Sequence, residues 1–588
     1  MALLDALGAL LAGALAAAAL IAFGARLRRL AHFALSPGLQ IPIDLLLGAW
    51  ALGSAVLAVS LVGLLRPWVL LVIAAGVLAA GRWTTRRDVR PAVPALVGGA
   101  VTLPVALAPP FFYDALVYHL GLPWQALLEG GWHAHAENVF AAFPPLAQLI
   151  YTVPLAAGAE RVPAVLHWAS VVGAAVALRA LARRLGAGRR LADLAGLTLP
   201  LLPGLALVSG LPAAEGWTLA ALLSAAALAL GRPVPGQGLL IGVLLGAATA
   251  ARLQGLPWAL ALALVAAVRS RRWSATAWRA ALGAMIGSAP WWLKNLLLLG
   301  QPLAPLGWDR PGLETLWRDA GSHLDLLDRP AAIVRLLGPA LAPHLAYLPL
   351  LLLAAGLAVI GGRRATRWAL GLALFGIAAW GLTGTLPRFL APSVAVLVAL
   401  AAAAARTTLR RLSSWLAVGA TAAIGLSLNL TQVAGLDLGL AFARPAAEVQ
   451  ANLIVHDPLP AFRAAETLPD DTRALLVGEA RGFGFPRRFV APSQHDPSPL
   501  RVLLGRGVTP AETCRALERA GVTHLVVNWR ELERLAPNYP VTPWADEDGR
   551  RHWQLLLGAL GPPVLDVGGV TVHPVGRCAG SARSVPGV

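Results

Sequence analysis

The chain has 588 residues, 57% of them hydrophobic and 13% charged, with a mean hydropathy of +0.66 and a formal net charge of +18. That composition excludes an ordinary soluble domain and points to a polytopic membrane protein, with the lipid bilayer as its surroundings. It also excludes a nucleic-acid binder: from residue 440 onward 16 Arg stand against 15 acidic residues, so +17 of the excess lies earlier, in short loops between apolar runs, where it sets topology.

In chain order, residues 1–108 carry apolar segments near 2–23, 41–65, 67–81 and 92–109, read as N-terminal transmembrane helices. The first lacks a basic leader and a cleavage site and is expected to be retained. Residues 109–432 continue with segments near 162–179, 192–209, 213–230, 238–251, 255–268, 280–298, 345–361, 367–384, 389–405 and 412–432. The predicted fold is a polytopic α-helical membrane protein of about 12–14 transmembrane helices. Arginine clusters at 26–29, 82–90, 179–190, 269–272, 363–367 and 406–411 then fall on one side, the cytoplasmic one by the positive-inside rule. Asp114, Glu129, Glu137, Glu215, Asp309, Glu314, Asp319, Asp325, Asp328 and everything after residue 433 fall on the other.

Between two apolar regions lies residues 109–151, a loop that gathers Asp114, Tyr118, His119, Glu129, Trp132, His133, His135, Glu137 and Asn138. So many titratable and aromatic groups must sit outside the hydrocarbon or line a cavity. Asp114, behind Phe111, Phe112 and Tyr113, is poorly solvated and so more basic than a carboxylate in water, able to accept a hydroxyl proton. Alternatively it caps a helix beginning at Ala115. His133 and His135 invite a metal reading: two residues apart they diverge on a helix, although a strand or loop could bring them together. His119 is expected to hydrogen-bond within the loop and orient Asp114 or a ligand. Trp124 and Trp132 are candidates for stacking on a sugar.

Further on, Glu215 lies in a short loop and reads either as a ligand contact or as a solvated carboxylate. Arg252 sits inside an apolar run, where it is costly unless paired or facing a cavity. Lys294, the only lysine, and Arg388 fall at outward ends of apolar runs, where cations either snorkel or bind an anion. After residue 433 the pattern changes. Residues 473–480 and 523–529 read as strands and 510–520 as a helix capped by Thr509, giving an extracytoplasmic α/β domain over 433–588. It holds both cysteines, Cys514 and Cys578, as a disulfide or as two free thiols.

Four motifs carry a resemblance. Tyr113, Asp114, Ala115, Leu116, Val117, Tyr118 and His119, with Pro123, Gly130, Gly131, Asn138, Pro144 and Pro145, resemble the first extracytoplasmic loop of polyprenyl-phosphate-dependent GT-C glycosyltransferases, the bacterial relatives of protein O-mannosyltransferases and aminoarabinose transferases. Pro290, Trp291, Lys294 and Asn295 with Gly300, Gln301 and Pro302 resemble a second family segment. Arg388, Phe389, Leu390 and Pro392 resemble a helix start, and residues 477–483 with 521–524 resemble the soluble domain of bacterial members. The resemblance implies a cofactor-free, metal-independent inverting transfer from a polyprenyl-phosphate-linked sugar donor to a glycan, lipid or protein acceptor at the outer face of a bacterial inner membrane. Asp114 would be the general base. Tyr118, His119, Asn138, Glu215, Arg252, Lys294, Asn295 and Arg388 would bind substrate, the cations on the donor phosphate. The competing readings are a lipid-linked sugar flippase, which should gather polar groups at mid-membrane, and a non-catalytic envelope glycan-assembly protein.

Overall fold

A computed structural model describes residues 2–578 apart from 82–87, 232–236, 271, 328, 361, 405–407, 437–442, 505–507 and 577. The membrane part is a helical bundle. Its elements are α1 (Ala2–Leu30), α2 (Pro37–Leu61), α3 (Pro67–Gly81), α4 (Val93–Gly99), α5 (Leu103–Leu107), α6 (Gly121–Glu129), α7 (Leu146–Ala156), α8 (Val162–Leu185), α9 (Arg189–Thr198), α10 (Glu215–Ala229), α11 (Gln237–Ala251), α12 (Gly255–Arg269), α13 (Trp273–Leu299), α14 (Pro311–Asp319), α15 (Pro330–Leu341), α16 (Leu348–Val359), α17 (Arg364–Thr383), α18 (Ala391–Ala403) and α19 (Thr408–Gly435). Among the described residues, five helices are long and apolar enough to cross a membrane, or six if the bent pair at 330–359 is one span; several shorter apolar helices pack with them. The protein is a multi-pass membrane protein.

Two expected spans are not continuous helices. Residues 92–109 break into α4 and α5 because Pro94 and Pro104 open new short helices, with Gly98 and Gly99 ending the first and a turn at 100–102 between them. Residues 192–209 hold only the end of α9 and three 3₁₀ turns, because Pro200, Pro203 and Gly204 interrupt the ladder. The N-terminal helices are not a separate layer. Val165 of α8 packs where a Cβ on Gly13 of α1 would stand, and the Trp50 indole of α2 donates to the Gly287 carbonyl of α13 at 3.1 Å. Small residues set a close crossing of α11 and α13. A Cβ on Gly242 of α11 would lie 2.1 Å from the Ala280 carbonyl oxygen of α13, and one on Gly283 2.2 Å from that of Leu239, so glycine at both allows the two backbones to touch.

Described arginines of the clusters at 26–29, 179–190, 269–272, 363–367 and 406–411 lie at one end of this bundle. Arg28 pairs with Asp44 at 2.7 Å, Arg184 reaches Ser36 at 3.1 Å, and Arg410 reaches the Ile360 carbonyl at 3.0 Å. Arg82, Arg86, Arg87, Arg271, Arg406 and Asp328 lie outside the described residues.

The C-terminal domain is the expected α/β unit. Strands β1 (Arg473–Val477), β2 (Arg488–Val490), β3 (His524–Asn528), β4 (Leu565–Val567) and β5 (Val570–Pro574) form one mixed sheet in the order β2-β1-β3-β5-β4. β1 runs parallel to β2 and β3, with Leu475 opposite Leu525, while β5 is antiparallel to β3 and β4. Gly568 and Gly569, both with positive φ, close the two-residue β4–β5 hairpin. Thr509 and Glu512 form a reciprocal capping box at the start of α20 (Pro510–Arg519). The open question over the cysteines resolves as a Cys514–Cys578 disulfide tying α20 to the end of the described chain. Replacing both cysteines by serine should lower the domain's stability by about 2–4 kcal/mol, seen as faster pulse proteolysis of the full-length protein under oxidising conditions, with reductant abolishing the difference.

Candidate active site

Four ionised side chains from distant parts of the chain meet at the bundle end opposite the arginine clusters. Asp114 comes from a helical turn over 113–119 between α5 and α6, Glu215 begins α10, Arg252 lies at the break between α11 and α12, and Arg388 lies in the 3₁₀ turn before α18. Each is placed by backbone geometry. The α11–α12 break leaves Arg252 off both helices, with its Nε on the Gln254 amide oxygen at 3.0 Å. The Glu215 turn is clamped: the Gly216 amide donates to His167 Nε2 at 2.9 Å, and the Trp217 indole donates to the Tyr151 hydroxyl at 3.1 Å, which in turn donates to the Ala213 carbonyl. A Cβ on Gly216 would meet the Ser170 hydroxyl at 2.2 Å, so glycine here permits the approach of α10 to α8 that brings Glu215 in.

The four form a chain of alternating charge. Arg388 contacts Asp114 through Nη2 at 2.9 Å and Glu215 through Nε at 3.2 Å, and Arg252 contacts Glu215 at 2.5 Å. The Phe389 ring lies under both cations, 4.7 Å from the Arg252 guanidinium carbon and 5.7 Å from that of Arg388. Glu215 is 5% exposed and doubly paired, which removes its reading as a solvated loop carboxylate. Asp114 is within the helical turn rather than at its edge, and its side chain makes no cap bond, which removes the capping alternative. Nor is it a carboxylate left alone against apolar groups: its side chain is 25% exposed and ion-paired.

Asp114, Arg252 and Arg388 line a cavity of about 220 Å³ together with Tyr118, His119, Gln148, Trp317, Asp319, Gln494 and His495, while Glu215 lies behind the two arginines. Tyr118 stacks on Phe140 with ring centroids 4.2 Å apart. Burial pushes the Tyr118 hydroxyl well above its ordinary pKa and the His119 imidazole down to about 3, so both stay neutral near pH 7. His119 makes no hydrogen bond to Asp114 among the described residues; its Nδ1 is buried without a partner. Two cavity residues come from the C-terminal domain. Neither Gln494 nor His495 is among the residues the sequence singles out; their only local signal is a short polar run, Ser493 to Asp496, in the extracytoplasmic domain. Burial lowers the His495 pKa to about 4, and its Nδ1 stands 3.7 Å from an Asp319 oxygen.

The remaining candidates lie outside the cavity. Lys294 does not snorkel. It is 1% exposed and donates to the Ala141 carbonyl and, at 3.0 Å, to that of Phe143. Asn295 donates to Ala142 and Ala304 carbonyls at 2.8 and 2.6 Å. Both hold the floor of the loop. Asn138 accepts from the Phe140 amide at 3.0 Å and donates to the Ala491 carbonyl at 3.3 Å, joining loop to domain. The Trp124 indole donates to the Phe485 carbonyl at 2.8 Å, and Trp132 is buried in the core, so neither offers a face to the cavity. The domain is further latched by Asp496, which accepts from the Val139 amide at 2.7 Å and pairs with Arg310 at 2.6 Å. His135 lies 3.4 Å from Glu129 and 3.5 Å from Glu137, and among the described residues no group of three or more ligands is set to hold a metal ion.

The architecture is shared with solved structures. ArnT from Cupriavidus metallidurans in the apo state superimposes with a TM-score of 0.51 over 84% of this chain and 98% of that one, at 16% identity. The same protein bound to undecaprenyl phosphate gives 0.49 over 83% and 97%, also at 16% identity. The Archaeoglobus fulgidus oligosaccharyltransferase gives 0.42 over 74% and 68%, at 15% identity. No family model matches the chain, and no curated protein matches it in sequence. The protein therefore has the GT-C fold, with a small C-terminal sheet domain, in agreement with its sequence motifs.

Proposed function

We propose that the protein is an inverting membrane glycosyltransferase that moves a sugar from a polyprenyl-phosphate-linked donor to an acceptor hydroxyl. The observation that carries this reading is the juxtaposition of Asp114 with two arginines, Arg252 and Arg388, around one cavity of an otherwise apolar bundle. Guanidinium groups suit a phosphate, which they bind by paired hydrogen bonds and stabilise as leaving group. The donor phosphate competes with carboxylates for Arg388, and its arrival frees Asp114. The acceptor oxygen then attacks the anomeric carbon from the face opposite the phosphate. The bond from that carbon to the phosphate oxygen breaks, the electron pair leaves with polyprenyl phosphate, and the hydroxyl proton passes to Asp114. Glu215 takes no part in proton transfer in this scheme; it holds the two cations in register. His495, arriving from the C-terminal domain, is suited to the sugar or the acceptor.

The reaction is placed at the outer face of a bacterial inner membrane, with the C-terminal domain outside and the arginine-rich bundle end in the cytoplasm. A phosphatase reporter that is active only in the periplasm, fused after Val588, is expected to be active; activity of a cytoplasmic reporter at that position would reverse the orientation. The reaction itself is tested by supplying membranes that contain the protein with a radiolabelled polyprenyl-phosphate sugar. Label should pass to a glycan, lipid or protein fraction. Transfer no greater than in membranes lacking the protein would sink the proposal.

A further inference from the structure

The helices that end at the cavity also build a second site at their other ends. The C-terminal ends of α8, α10 and α12 and the N-terminal ends of α2 and α17 enclose an open cleft of about 1020 Å³ into which Arg179, Arg183, Arg184, Arg269, Arg363 and Arg364 project. At 1.5 Å per residue, α10 alone separates it from Glu215 by roughly 20 Å. Among the described residues, no acidic side chain lines it. Asp193, which lies beside it, is taken up by Arg179 at 2.5 Å and lies 3.9 Å from Arg189.

The other arginines are held by neutral oxygens, which orient a guanidinium without cancelling its charge. Arg183 donates to the Ala187 carbonyl at 2.6 Å and Arg184 to the Ser36 hydroxyl at 3.1 Å. Arg269 donates to the carbonyls of Ala229, Leu230 and Gly231 at 3.0–3.3 Å. Arg363 and Arg364 are exposed and make no side-chain hydrogen bond or ion pair among the described residues, and Arg364 stands near enough to Arg269 for their charges to oppose. Topology accounts for arginines at this end of the bundle. It does not require three helix ends, far apart in sequence, to aim theirs into one concavity against mutual repulsion. Leu230, Val268 and Ala365 line the cleft beside the charges, so it presents apolar surface next to phosphate-binding groups.

We propose that this cleft binds a phosphate-bearing anion, either the head group of an anionic phospholipid or a soluble polyphosphate. The inference is independent of the transfer reaction. It is tested with the full-length protein in phosphatidylcholine nanodiscs, measuring binding of added phosphatidylglycerol and, separately, of inorganic pyrophosphate. The Arg363→Gln/Arg364→Gln protein, whose altered side chains hold nothing in the fold, is compared with Arg367→Gln/Arg411→Gln, which loses the same charge outside the cleft. At about fivefold per arginine, the first pair should weaken binding about 25-fold and the second less than about twofold. Dependence on Arg363 and Arg364 for phosphatidylglycerol alone assigns the cleft to lipid, and for pyrophosphate alone to a soluble anion; either supports the proposal. Equal weakening by the two pairs, or no binding of either probe to the unmodified protein, overturns it.

Discussion

Asp114→Asn should lower turnover by about 10²–10⁴, the usual worth of general-base catalysis, with the protein made and inserted at normal levels. The substitution keeps the shape of the side chain and a hydrogen-bond acceptor for Arg388, whose contact at 2.9 Å is the only polar contact described for Asp114. Because Asp114 sits inside its turn and caps nothing, the fold has little to lose. What is lost is the group that takes the acceptor proton. Donor binding should persist or tighten, since the variant removes a carboxylate that competes with phosphate for Arg388. The effect therefore belongs in kcat with KM for the donor unchanged or lowered. A variant with ordinary turnover would remove Asp114 from the chemistry and leave the site a phosphate pocket without a base.

The sequence made the bundle, the two-sided charge pattern and the α/β domain legible because each is written in local periodicity: long apolar runs, arginines between them, and two short apolar strands flanking a capped helix. Where local rules compete, the reading was coarser. Prolines and glycines within 92–109 and 192–209 broke runs that hydropathy alone counts as spans. The site was half legible. Asp114, Glu215, Arg252 and Arg388 stood out because a charge in apolar surroundings needs an explanation, and the explanation proved to be one another. Lys294, Asn295 and Asn138 were singled out by the same motifs but satisfy backbone carbonyls and an amide of the loop, a task that residue type cannot distinguish from ligand binding. Asp319 stood out only as an outer acidic residue, and Gln494 and His495 only as part of a short polar run. Their arrival at the cavity depends on the docking of a domain whose approach is fixed by Asp496, Arg310 and the Val139 amide, and nothing local encodes that docking.

Arg388→Gln should lower kcat/KM by about 10²–10³, the cost of losing one aimed donor to a developing anion. Two carboxylates share this arginine, so the same variant leaves Asp114 and Glu215 with one cation, Arg252, between them. Removing one partner of a buried network costs about 3–5 kcal/mol when a charge is left uncompensated, and Arg388 at 21% exposed lies toward the lower end of that range. A loss of activity could then reflect a disturbed site rather than a missing phosphate contact. Charge balance separates the two. The four groups sum to zero, Arg388→Gln leaves them at −1, and Arg388→Gln/Glu215→Gln returns them to zero. If Arg388 serves only to neutralise Glu215, the double variant recovers both thermal stability and turnover. If Arg388 receives the donor phosphate, stability returns in the double variant while kcat/KM stays depressed by the full factor. Recovery of turnover along with stability would withdraw Arg388 from the donor site and leave Arg252 as its cation.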